Sequence, residues 1–573
     1  MFSTEALCFG KGIWKSIKES GIIVLKCENS VMEGVIINMK GFENKAQHRV
    51  VSSDGTVKGY IIKRKYTKDT EKLLFMNTYN TIKSIDDIAN LELTDEDEIK
   101  ATEVLTDISL LDINKYKYER IVSNNRLVRH IQEELMEWKD RSGHSVLQLQ
   151  GSRQTGKTTE LLKFAYGNYE NVVYVNMADD KHGFAEISKT YDMLDFLIVY
   201  CMKNNLTFTD DHSTIIIIDE IQCSSDVYNC IRPMDNELNC DIIVTGSYLG
   251  YTLNKEFFKP AGNIEYMKMY SLSFREFCKA YDMEDMLMDI SLTGKSDTKD
   301  YDKLYEKYDI YRKIGGYPKV VSEYIKTGSM ENCMNLLAGL VDTFQAESGA
   351  YFSDSGESLV FSGIYQTVLR GMCRNRKGSG SVLLKDIKKD ILDHNKKAFV
   401  TTKEVNRAVS WLVDSDILGA CDLYDGELKD ILSSRKLYFM DCGIAYYMSG
   451  ITKGVEQSNI EGILSENFAY CEFIKLYHKR YGSAKVIGHN PCFMAYHNYE
   501  LDFVIDSFKK NSYGIEIKTN DGSARSLKVI MEKGMLDMGV VAKRTAGGDS
   551  SSDRGIITIP VFAVGARFPY GME

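Results

Sequence analysis

Residues 151–158 constrain this chain more than any other segment, because they spell Gly-Ser-Arg-Gln-Thr-Gly-Lys-Thr. Glycines let backbone amides curl around a phosphate, and the dipole of a following helix favours the same negative charge. The apolar residues before the loop, 146–150, predict a strand, and residues 159–164 predict the start of a helix. A strand, a glycine-rich loop and a helix in this order predict a site for the phosphates of a nucleotide.

The residues of this loop have separate predicted roles. Lys157 is expected to reach the β- and γ-phosphates, and the hydroxyl of Thr158 is expected to hold Mg²⁺. The residues predicted to contact the nucleotide are Gly151, Ser152, Arg153, Gln154, Thr155, Gly156, Lys157, Thr158 and Thr159. The sequence therefore predicts that the chain binds ATP or GTP.

Two carboxylates follow a second apolar segment. The isoleucines at 215–218 predict a strand that is buried on both faces of a parallel sheet, and Asp219 and Glu220 stand at its carboxyl end. We expect Asp219 to support the Mg²⁺ ion and Glu220 to orient and deprotonate the attacking water. A solvated loop after an apolar strand is the alternative interpretation.

Two more apolar segments complete the predicted sheet. Residues 172–175 predict one strand, and residues 241–244 predict another that ends in Thr245-Gly246-Ser247. A hydroxyl of Thr245 or Ser247 could sense the γ-phosphate, although a simple turn explains the same three residues. Because strands alternate with helical segments, the fold class is α/β with a parallel, doubly wound sheet.

Together these segments resemble the AAA-type ATPases of the P-loop class. Two more segments, Ser-Leu-Ser-Phe-Arg-Glu-Phe at 271–277 and Gly-Gly-Tyr-Pro at 315–318, resemble a prokaryotic group in which such an ATPase is fused to a restriction-endonuclease-like domain. The resemblance covers about residues 115–540 and implies ATP rather than GTP, with Mg²⁺. It also implies an arginine from a lid or neighbouring subunit. Arg232, Arg275 and Arg312 are candidates by position, but a surface or lid salt bridge is the preferred interpretation of each, and none is taken as a site residue.

The middle of the chain carries a different pattern. Thr401 to Glu404 form a capping-box sequence, and the following apolar residues recur on one face of a helix. A hairpin that ends near Asp441 follows, so the order resembles a winged helix. Such a module can read DNA or serve only in packing, and both interpretations stay open.

Four polar residues near the C-terminus suggest a second site. Strand alternation places Asp502 on one predicted strand and both Glu516 and Lys518 on one face of the next, while Glu466 lies on a predicted helix. The spacing resembles the PD-(D/E)xK nuclease fold and implies a hard-oxygen site for Mg²⁺ or Mn²⁺. The alternatives are a Glu516–Lys518 ion pair, a nuclease fold without catalysis, and a chance match.

Composition sets the remaining expectations. The net charge of −10 argues against a strongly basic coat for nucleic acid, and the 13 cysteines lack a C-x-x-C pair. Reduced thiols predict a cytoplasmic protein, and no apolar run predicts a membrane span or a signal peptide. The acidic stretch 86–103 predicts a solvated helix and linker.

The predicted division has five parts. These are an accessory α+β module at 1–114, the ATPase core at 115–270, a helical lid at 271–350, a winged-helix-like region at 351–450 and the nuclease-like domain at 451–573. The predicted function is an Mg²⁺-dependent ATPase that drives its C-terminal region, with DNA as one partner to test. The alternatives are an ATP-gated switch or scaffold that contacts a protein or a second copy of the chain, and a stand-alone endonuclease that ATP regulates.

Overall fold

Most of the chain after residue 112, and five strands before it, are described by the computed structural model. The described residues are 22–24, 36–38, 44–51, 57–67, 70–75, 113–124, 127–204, 206–247, 262–351, 355–373, 388–389, 392–393, 401–424, 435–452, 457–481, 491–506, 512–519, 524–550 and 555–568. They divide into two units, one drawn from residues 1–123, 166–172 and 197–209 and the other from the rest.

The first unit carries two small antiparallel sheets. One pairs β1 (Ile22–Val24) with β2 (Ile36–Asn38), and the other has the order β3 (Asn44–Val51), β4 (Val57–Thr67), β5 (Thr70–Phe75). The apolar segments at 21–25, 34–38 and 59–62 predict short strands, and they coincide with β1, β2 and part of β4. The acidic stretch at 86–103 lies outside the described residues.

A five-stranded sheet forms the centre of the second unit. Its strands are β6 (Val146–Gln150), β7 (Asn171–Asn176), β8 (Thr214–Asp219), β9 (Asp241–Thr245) and β10 (Ile264–Lys268), in the order β10-β6-β9-β8-β7. The pairs β10–β6, β6–β9 and β9–β8 are parallel. Every residue of β8 is buried, as its run of isoleucines predicts for an inner strand. This sheet, with helices between its strands along the chain, agrees with the predicted α/β class.

The described part of the chain also contains α-helices. They are α1 (Ile113–Asn124), α2 (Ile131–Asp140), α3 (Lys157–Asn168), α4 (Met193–Lys203), α5 (Ser225–Asn229), α6 (Ile231–Glu237), α7 (Phe274–Lys279), α8 (Glu284–Asp289), α9 (Thr298–Ile314), α10 (Pro318–Thr327), α11 (Met330–Tyr351), α12 (Ser355–Cys373), α13 (Thr402–Asp414), α14 (Cys442–Ile451), α15 (Gln457–Tyr481) and α16 (Arg525–Glu532). None of the helices in the described part of the chain combines the length and apolar character needed to cross a membrane.

A seven-stranded sheet follows in the same unit. Its strands are β11 (Leu418–Leu423), β12 (Arg435–Phe439), β13 (Cys492–Tyr496), β14 (Tyr499–Asp506), β15 (Ser512–Lys518), β16 (Met538–Lys543) and β17 (Ile556–Pro560). Their order is β12-β11-β13-β14-β15-β16-β17. The predicted strands around Asp502 and Glu516 are therefore neighbours, β14 and β15, and they pair antiparallel.

The winged-helix expectation needs a correction at its hairpin. The capping box of Thr401 and Glu404 begins α13 as predicted, and β11 and β12 do form an antiparallel hairpin. However, β11 also pairs with β13, where Asp422 lies opposite Cys492, so the hairpin is the edge of the seven-stranded sheet rather than a free wing. The predicted boundary at residue 450 thus runs through one sheet. Local alternation predicts a hairpin but not the strand that its open edge meets.

The lid helices and the C-terminal region share one aromatic core. Phe274 of α7 contacts the rings of Tyr308 and Tyr311 in α9, Phe468 in α15 and Phe562 after β17. All five side chains are buried within one cluster. Contacts of this kind couple α7 and α9 to the C-terminal sheet, because a packed core transmits small displacements.

Candidate functional site

The phosphate loop joins β6 to α3 and depends on its two glycines. Gly151 and Gly156 have φ angles of +149° and +98°, which residues with a side chain rarely adopt. A Cβ atom on Gly151 would lie 2.1 Å from the carbonyl oxygen of Met269, so only glycine fits there. Gln154, at the exposed tip, has a φ of +62°. This loop has the tight backbone that phosphate binding by amides requires.

Lys157 points back across the loop. Its Nζ atom donates to the carbonyl oxygens of Gly151 and Ser152, each at 2.8 Å. Burial lowers the pKa of Lys157 to about 8, and the carboxylates of Glu220 and Asp219 oppose that shift. The ammonium is thus held at the loop by uncharged oxygens and has a reduced affinity for its proton.

Asp219 lies directly beside the loop. Its Oδ2 atom accepts hydrogen bonds from the Thr158 hydroxyl at 2.7 Å and from the Tyr174 hydroxyl at 2.9 Å, and its Oδ1 atom accepts from the Glu220 amide at 2.8 Å. The structure therefore brings Thr158 and Asp219 together. A hydroxyl and a carboxylate are hard oxygen donors, so this pair suits Mg²⁺.

Glu220 has an unusual backbone. Its φ of +51° lies in the left-handed region, which is uncommon for a residue with a side chain, and such outliers cluster at functional sites. The Nε2 atom of Gln222 donates to its carboxylate. A Cβ atom on Gly246 would lie 2.0 Å from Oε1 of Gln222, so Gly246 leaves the room that this contact needs. Gln222 thus holds the Glu220 carboxylate, and the absence of a side chain at Gly246 makes room for Gln222.

Thr245 and Ser247, the two candidate sensors, lie at the end of β9. The Thr245 hydroxyl donates to the carbonyl oxygen of Leu149 in the neighbouring strand β6, at 2.9 Å. Both Thr245 and Ser247 are buried. The Thr245 hydroxyl is therefore engaged within the sheet, and its role as a γ-phosphate sensor stays a prediction.

The remaining loop residues have internal partners. The Thr155 hydroxyl donates to the carbonyl oxygen of Ser152 at 3.0 Å, and Arg153 forms an ion pair with Glu347 of α11. Thr159, in the first turn of α3, is half-buried. The Arg153–Glu347 pair links the loop to a lid helix.

Arg129 is a contact of the loop that sequence reasoning missed. Its Nη1 atom donates to the carbonyl oxygen of Thr155 at 3.0 Å, its Nη2 atom to that of Tyr270 at 2.6 Å, and its Nε atom to Glu276 at 3.1 Å. No local pattern marks Arg129, because its three acceptors come from distant parts of the chain.

Glu276 explains part of the 271–277 motif. Burial alone would raise its pKa, but Arg129 and His130, with the backbone amides of Ser273 and His130, lower that pKa to about 2. Ser273 and Glu276 also form the capping box that begins α7. The motif therefore anchors Arg129 against the phosphate loop.

The Gly-Gly-Tyr-Pro segment at 315–318, here called the junction segment, lies against three parts of the second unit. Gly316 accepts a hydrogen bond from the Leu272 amide at 2.7 Å, and its own amide donates to Asp441 at 2.8 Å. Tyr317 shares a hydrogen bond with the Ser152 side chain. A Cβ atom on Gly156 would lie 3.5 Å from Pro318. The junction segment thus contacts both the phosphate loop and the C-terminal region.

Asp441, the residue before α14, joins the junction segment to the C-terminal region. Besides Gly316, its carboxylate accepts from the Gly443 amide at 2.8 Å and so caps α14. A Cβ atom on Gly315 would lie 2.0 Å from the same carboxylate. The loop, the junction segment and α14 therefore form one continuous chain of contacts.

The three candidate arginines have different surroundings. Arg312 is buried and pairs with Asp309 at 2.7 Å and Glu461 at 2.8 Å. Arg275 pairs with Glu284 at 2.7 Å, and Arg232 is exposed. Arg275 and Arg312 are therefore engaged in ion pairs within the chain.

The C-terminal residues Glu466, Asp502, Glu516 and Lys518 do come into one region. In the register of β14 and β15, Phe503 lies opposite Ile515, and Asp502 and Glu516 are the residues next to this pair. Burial raises the pKa of Asp502, and the negative charge of Glu466 raises it further, while Lys436 opposes the shift. These acids therefore interact, as their spacing predicts.

However, each of these groups has an internal partner. Asp502 accepts from the Ile517 amide at 2.7 Å, Lys518 pairs with Glu516 at 2.6 Å, and Glu466 accepts from the Tyr438 hydroxyl. Ligand atoms from Glu466, Asp502 and Glu516 do not all lie within 4.8 Å of one another. This arrangement does not fit a three-carboxylate metal site, and the ion pair of the first alternative is present.

Two family models match parts of the chain. Residues 143–278 match a family described as an AAA domain, and residues 305–454 match a family described as a domain of unknown function, DUF8612. An uncharacterized protein of Haemophilus influenzae is 25% identical over 197 residues, which are 33% of this chain and 43% of that protein. The chain therefore spans less than half the length of that curated relative.

Solved structures also resemble the chain. The Walker-type ATPase PABY2304 of Pyrococcus abyssi is 13% identical with a TM-score of 0.37, over 56% of this chain and 95% of that one. The Aeropyrum pernix ORC1 protein, in complex with DNA, is 13% identical with a TM-score of 0.24, over 59% and 91%. The Thermotoga maritima RuvB Holliday junction branch migration motor is 12% identical with a TM-score of 0.23, over 51% and 90%.

Proposed function

We propose that this chain is an Mg²⁺-dependent ATPase of the AAA type whose nucleotide cycle acts on its C-terminal region. The match of residues 143–278 to an AAA domain supports ATP binding and hydrolysis by the core. One observation carries the proposal: Asp219 accepts from the Thr158 hydroxyl of the phosphate loop and lies next to Glu220.

The residues divide the chemistry between them. Thr158 and Asp219 would hold Mg²⁺, which supplies charge neutralisation at the phosphates when it is bound. Lys157 binds the β- and γ-phosphates once it releases the carbonyl oxygens of Gly151 and Ser152. Glu220 orients a water and accepts its proton. Thr245 or Ser247 is the proposed sensor of the γ-phosphate.

Coupling would run through the contacts of the phosphate loop. Tyr317 reaches Ser152, and Gly316 reaches Asp441 at the start of α14. Arg153 reaches Glu347 in α11. When a nucleotide reorders the loop, these contacts must change, and the change is transmitted to the lid and to α14.

Turnover of ATP by matched variants tests the hydrolytic part. Glu220→Gln is expected to lower kcat by about 10²–10⁴-fold, because it removes the general base, while ATP binding persists. Glu186→Gln changes an exposed glutamate outside the site and is the control. Equal turnover by both variants would remove Glu220 from the mechanism.

A second candidate function is an ATP-gated switch whose C-terminal domain contacts a protein or a second copy of the chain. The internal partners of Asp502, Glu516 and Lys518 favour it over nuclease action. A switch binds ATP tightly and turns over no faster than it releases nucleotide, so comparing kcat with the ATP dissociation rate distinguishes the two candidates.

DNA is the partner to test first. ATP turnover measured without DNA, with single strands and with duplex, alongside the oligomer mass, separates DNA-coupled from protein-coupled action. Incubation of plasmid with the protein and Mg²⁺ or Mn²⁺ tests the nuclease alternative, and nicking that persists in Lys518→Ala would not come from this site.

We also propose a cytoplasmic location, in keeping with the free thiols of the described cysteines.

A further inference from the structure

A second group of metal-ligating side chains lies at the amino ends of the core strands. His144 precedes β6 by two residues, His212 precedes β8 by two residues, and Asp241 is the first residue of β9. Because β9 lies between β6 and β8, three adjacent strands bring these residues together. The phosphate loop follows the opposite, carboxyl end of β6, so this group is separate from the nucleotide site.

The distances within this group suit a metal ion. Nε2 of His144 lies 3.5 Å and Nδ1 of His212 lies 2.6 Å from Oδ1 of Asp241. These ligand atoms all lie within 4.8 Å of one another, and no other such group of three occurs in the described part of the chain. Ligands about 2.0–2.1 Å from a tetrahedral Zn²⁺ ion are separated by about 3.3 Å, so the His144–Asp241 distance is near that of a formed site.

His212 is the ligand that must move, because its Nδ1 atom lies closer to Oδ1 of Asp241 than two ligands of one Zn²⁺ ion do. Its side chain is 75% exposed, so it can move outward from Asp241 by the several tenths of an ångström required. His144 is held more firmly, with a side chain that is 6% exposed and a ring 4.3 Å from that of Trp138. Two ligands are therefore fixed by the fold, and the exposed third can close on an ion.

We propose that His144, His212 and Asp241 bind a divalent transition-metal ion of the zinc class. Two imidazoles and one carboxylate suit Zn²⁺ and its neighbours, whereas Mg²⁺ and Ca²⁺ prefer oxygen ligands alone. Three protein ligands leave a fourth position for water, because His212 lies at the surface. The ion ties together the amino ends of β6, β9 and β8 and so stabilises the core sheet.

The site stabilises the fold and takes no part in the chemistry at Asp219 and Glu220. An ion that binds only the folded chain raises its unfolding temperature by mass action. The proposal therefore stands or falls independently of ATP turnover, and its readouts are metal affinity and thermal stability.

Calorimetric titration of the full-length, untagged and chelator-treated chain with ZnCl₂ tests the proposal. The parent is expected to bind Zn²⁺ at this site, and His212→Ala is expected to weaken that binding at least about tenfold, since metal ligands and their supports carry effects of about 10–100-fold. His182→Ala, which changes an exposed histidine outside the group, is the matched control and should bind like the parent. MgCl₂ should not displace the Zn²⁺.

Two further readouts separate this site from the cysteines and from loss of folding. Co²⁺ at a site of imidazole and carboxylate ligands lacks the near-ultraviolet thiolate charge-transfer band, and its visible spectrum should disappear in His212→Ala. Zn²⁺ should raise the unfolding temperature of the parent and of His182→Ala but not that of His212→Ala. Failure of the parent to bind Zn²⁺, or a loss of less than tenfold in both His212→Ala and His144→Gln, would overturn the proposal.

Discussion

Two groups of acids lie at strand positions of the second unit, and they differ in how their charges are used. At the nucleotide site, Asp219 accepts from hydroxyls and an amide, while Lys157 donates to neutral carbonyl oxygens. In the C-terminal group, Lys518 pairs directly with Glu516. A lysine held apart from the carboxylates remains available to an incoming anion, whereas a paired lysine must first break its ion pair. Aspartate, glutamate and lysine occur in both groups, but only the lysine of the nucleotide site is expected to bind an anion without first breaking an ion pair.

The largest expected contrast comes from removing one aspartate in each group. Asp219→Asn should lower kcat/KM for ATP by about 10–100-fold, because it weakens support for the metal, and added Mg²⁺ should recover part of the loss. Asp502→Asn is the matched change and should alter ATP turnover less than about twofold. Steady-state kinetics with both variants checks the contrast, and similar losses would mean that the two groups act as one site.

The junction segment should be sensitive to a single methyl group. A Cβ atom on Gly316 would lie 2.2 Å from the backbone oxygen of Leu272, so Gly316→Ala should destabilise the fold by about 2–3 kcal/mol. In Gly339→Ala a Cβ atom meets nothing within 4 Å, and this helical control should be neutral or slightly stabilising. Denaturant unfolding compares the pair, and equal stabilities would argue against tight packing at the junction segment.

The lowered pKa of Lys157 gives a pH dependence with a definite sign. Below its pKa of about 8 the ammonium is already present, so ATP affinity should not change with pH. Above it, the free protein must take up a proton on binding, and affinity should fall by up to about tenfold per pH unit. Lys157→Arg keeps its charge and should bind more weakly but without this decline. Calorimetry from about pH 7 to about pH 9.5 measures both, and a parent affinity that stays constant throughout contradicts the prediction.

Asp502 should produce a smaller effect that concerns stability alone. Its folded-state pKa is raised, first by burial, so the folded chain disfavours the ionised form. The free energy of unfolding should therefore fall as the pH rises from the pKa that Asp502 has in the unfolded chain through the higher pKa that it has in the folded chain. Asp502→Asn should remove this component. Unfolding curves across that range check it, and an unchanged pH profile in the variant would exclude Asp502 as the source.

Glu276 should behave in the opposite way to Asp502. Burial opposes its ionisation, but Arg129 and His130 lower its pKa to about 2. Ionised Glu276 should stabilise the fold at pH values above the pKa that it has in the unfolded chain. This stabilisation should be lost as the pH falls toward its lower pKa in the folded chain. Glu276→Gln should be less stable near neutral pH, and a variant as stable as the parent there would contradict the importance of the Arg129 contact.

The sequence predicted the parts of the site that are local in the chain. The loop at 151–158, the strand that ends at Asp219 and the capping box at 401 follow from short-range rules of backbone and hydrogen bonding. The contacts of Arg129, Tyr317 and Asp441 could not be predicted, because each joins segments that are far apart in sequence. For the same reason, the pairing of β11 with β13 was missed.

The C-terminal group shows what spacing can and cannot predict. Alternation put Asp502 on one predicted strand and both Glu516 and Lys518 on one face of the next, and these two strands are neighbours in the sheet. It left open whether Lys518 would pair with Glu516, and it could not predict that the Ile517 amide would donate to Asp502, because both contacts depend on side-chain geometry. Metal binding and nuclease action at this group stay predictions.

The most direct test of the central claim is calorimetric binding of Mg²⁺–ATP to the parent and to Lys157→Ala. Because Lys157 is expected to exchange two carbonyl oxygens for phosphate oxygens, the variant should lose affinity by about 100-fold or more. Lys163→Ala, in the same helix and away from the loop, should bind ATP like the parent. Equal ATP affinity in the parent and in Lys157→Ala would contradict the account.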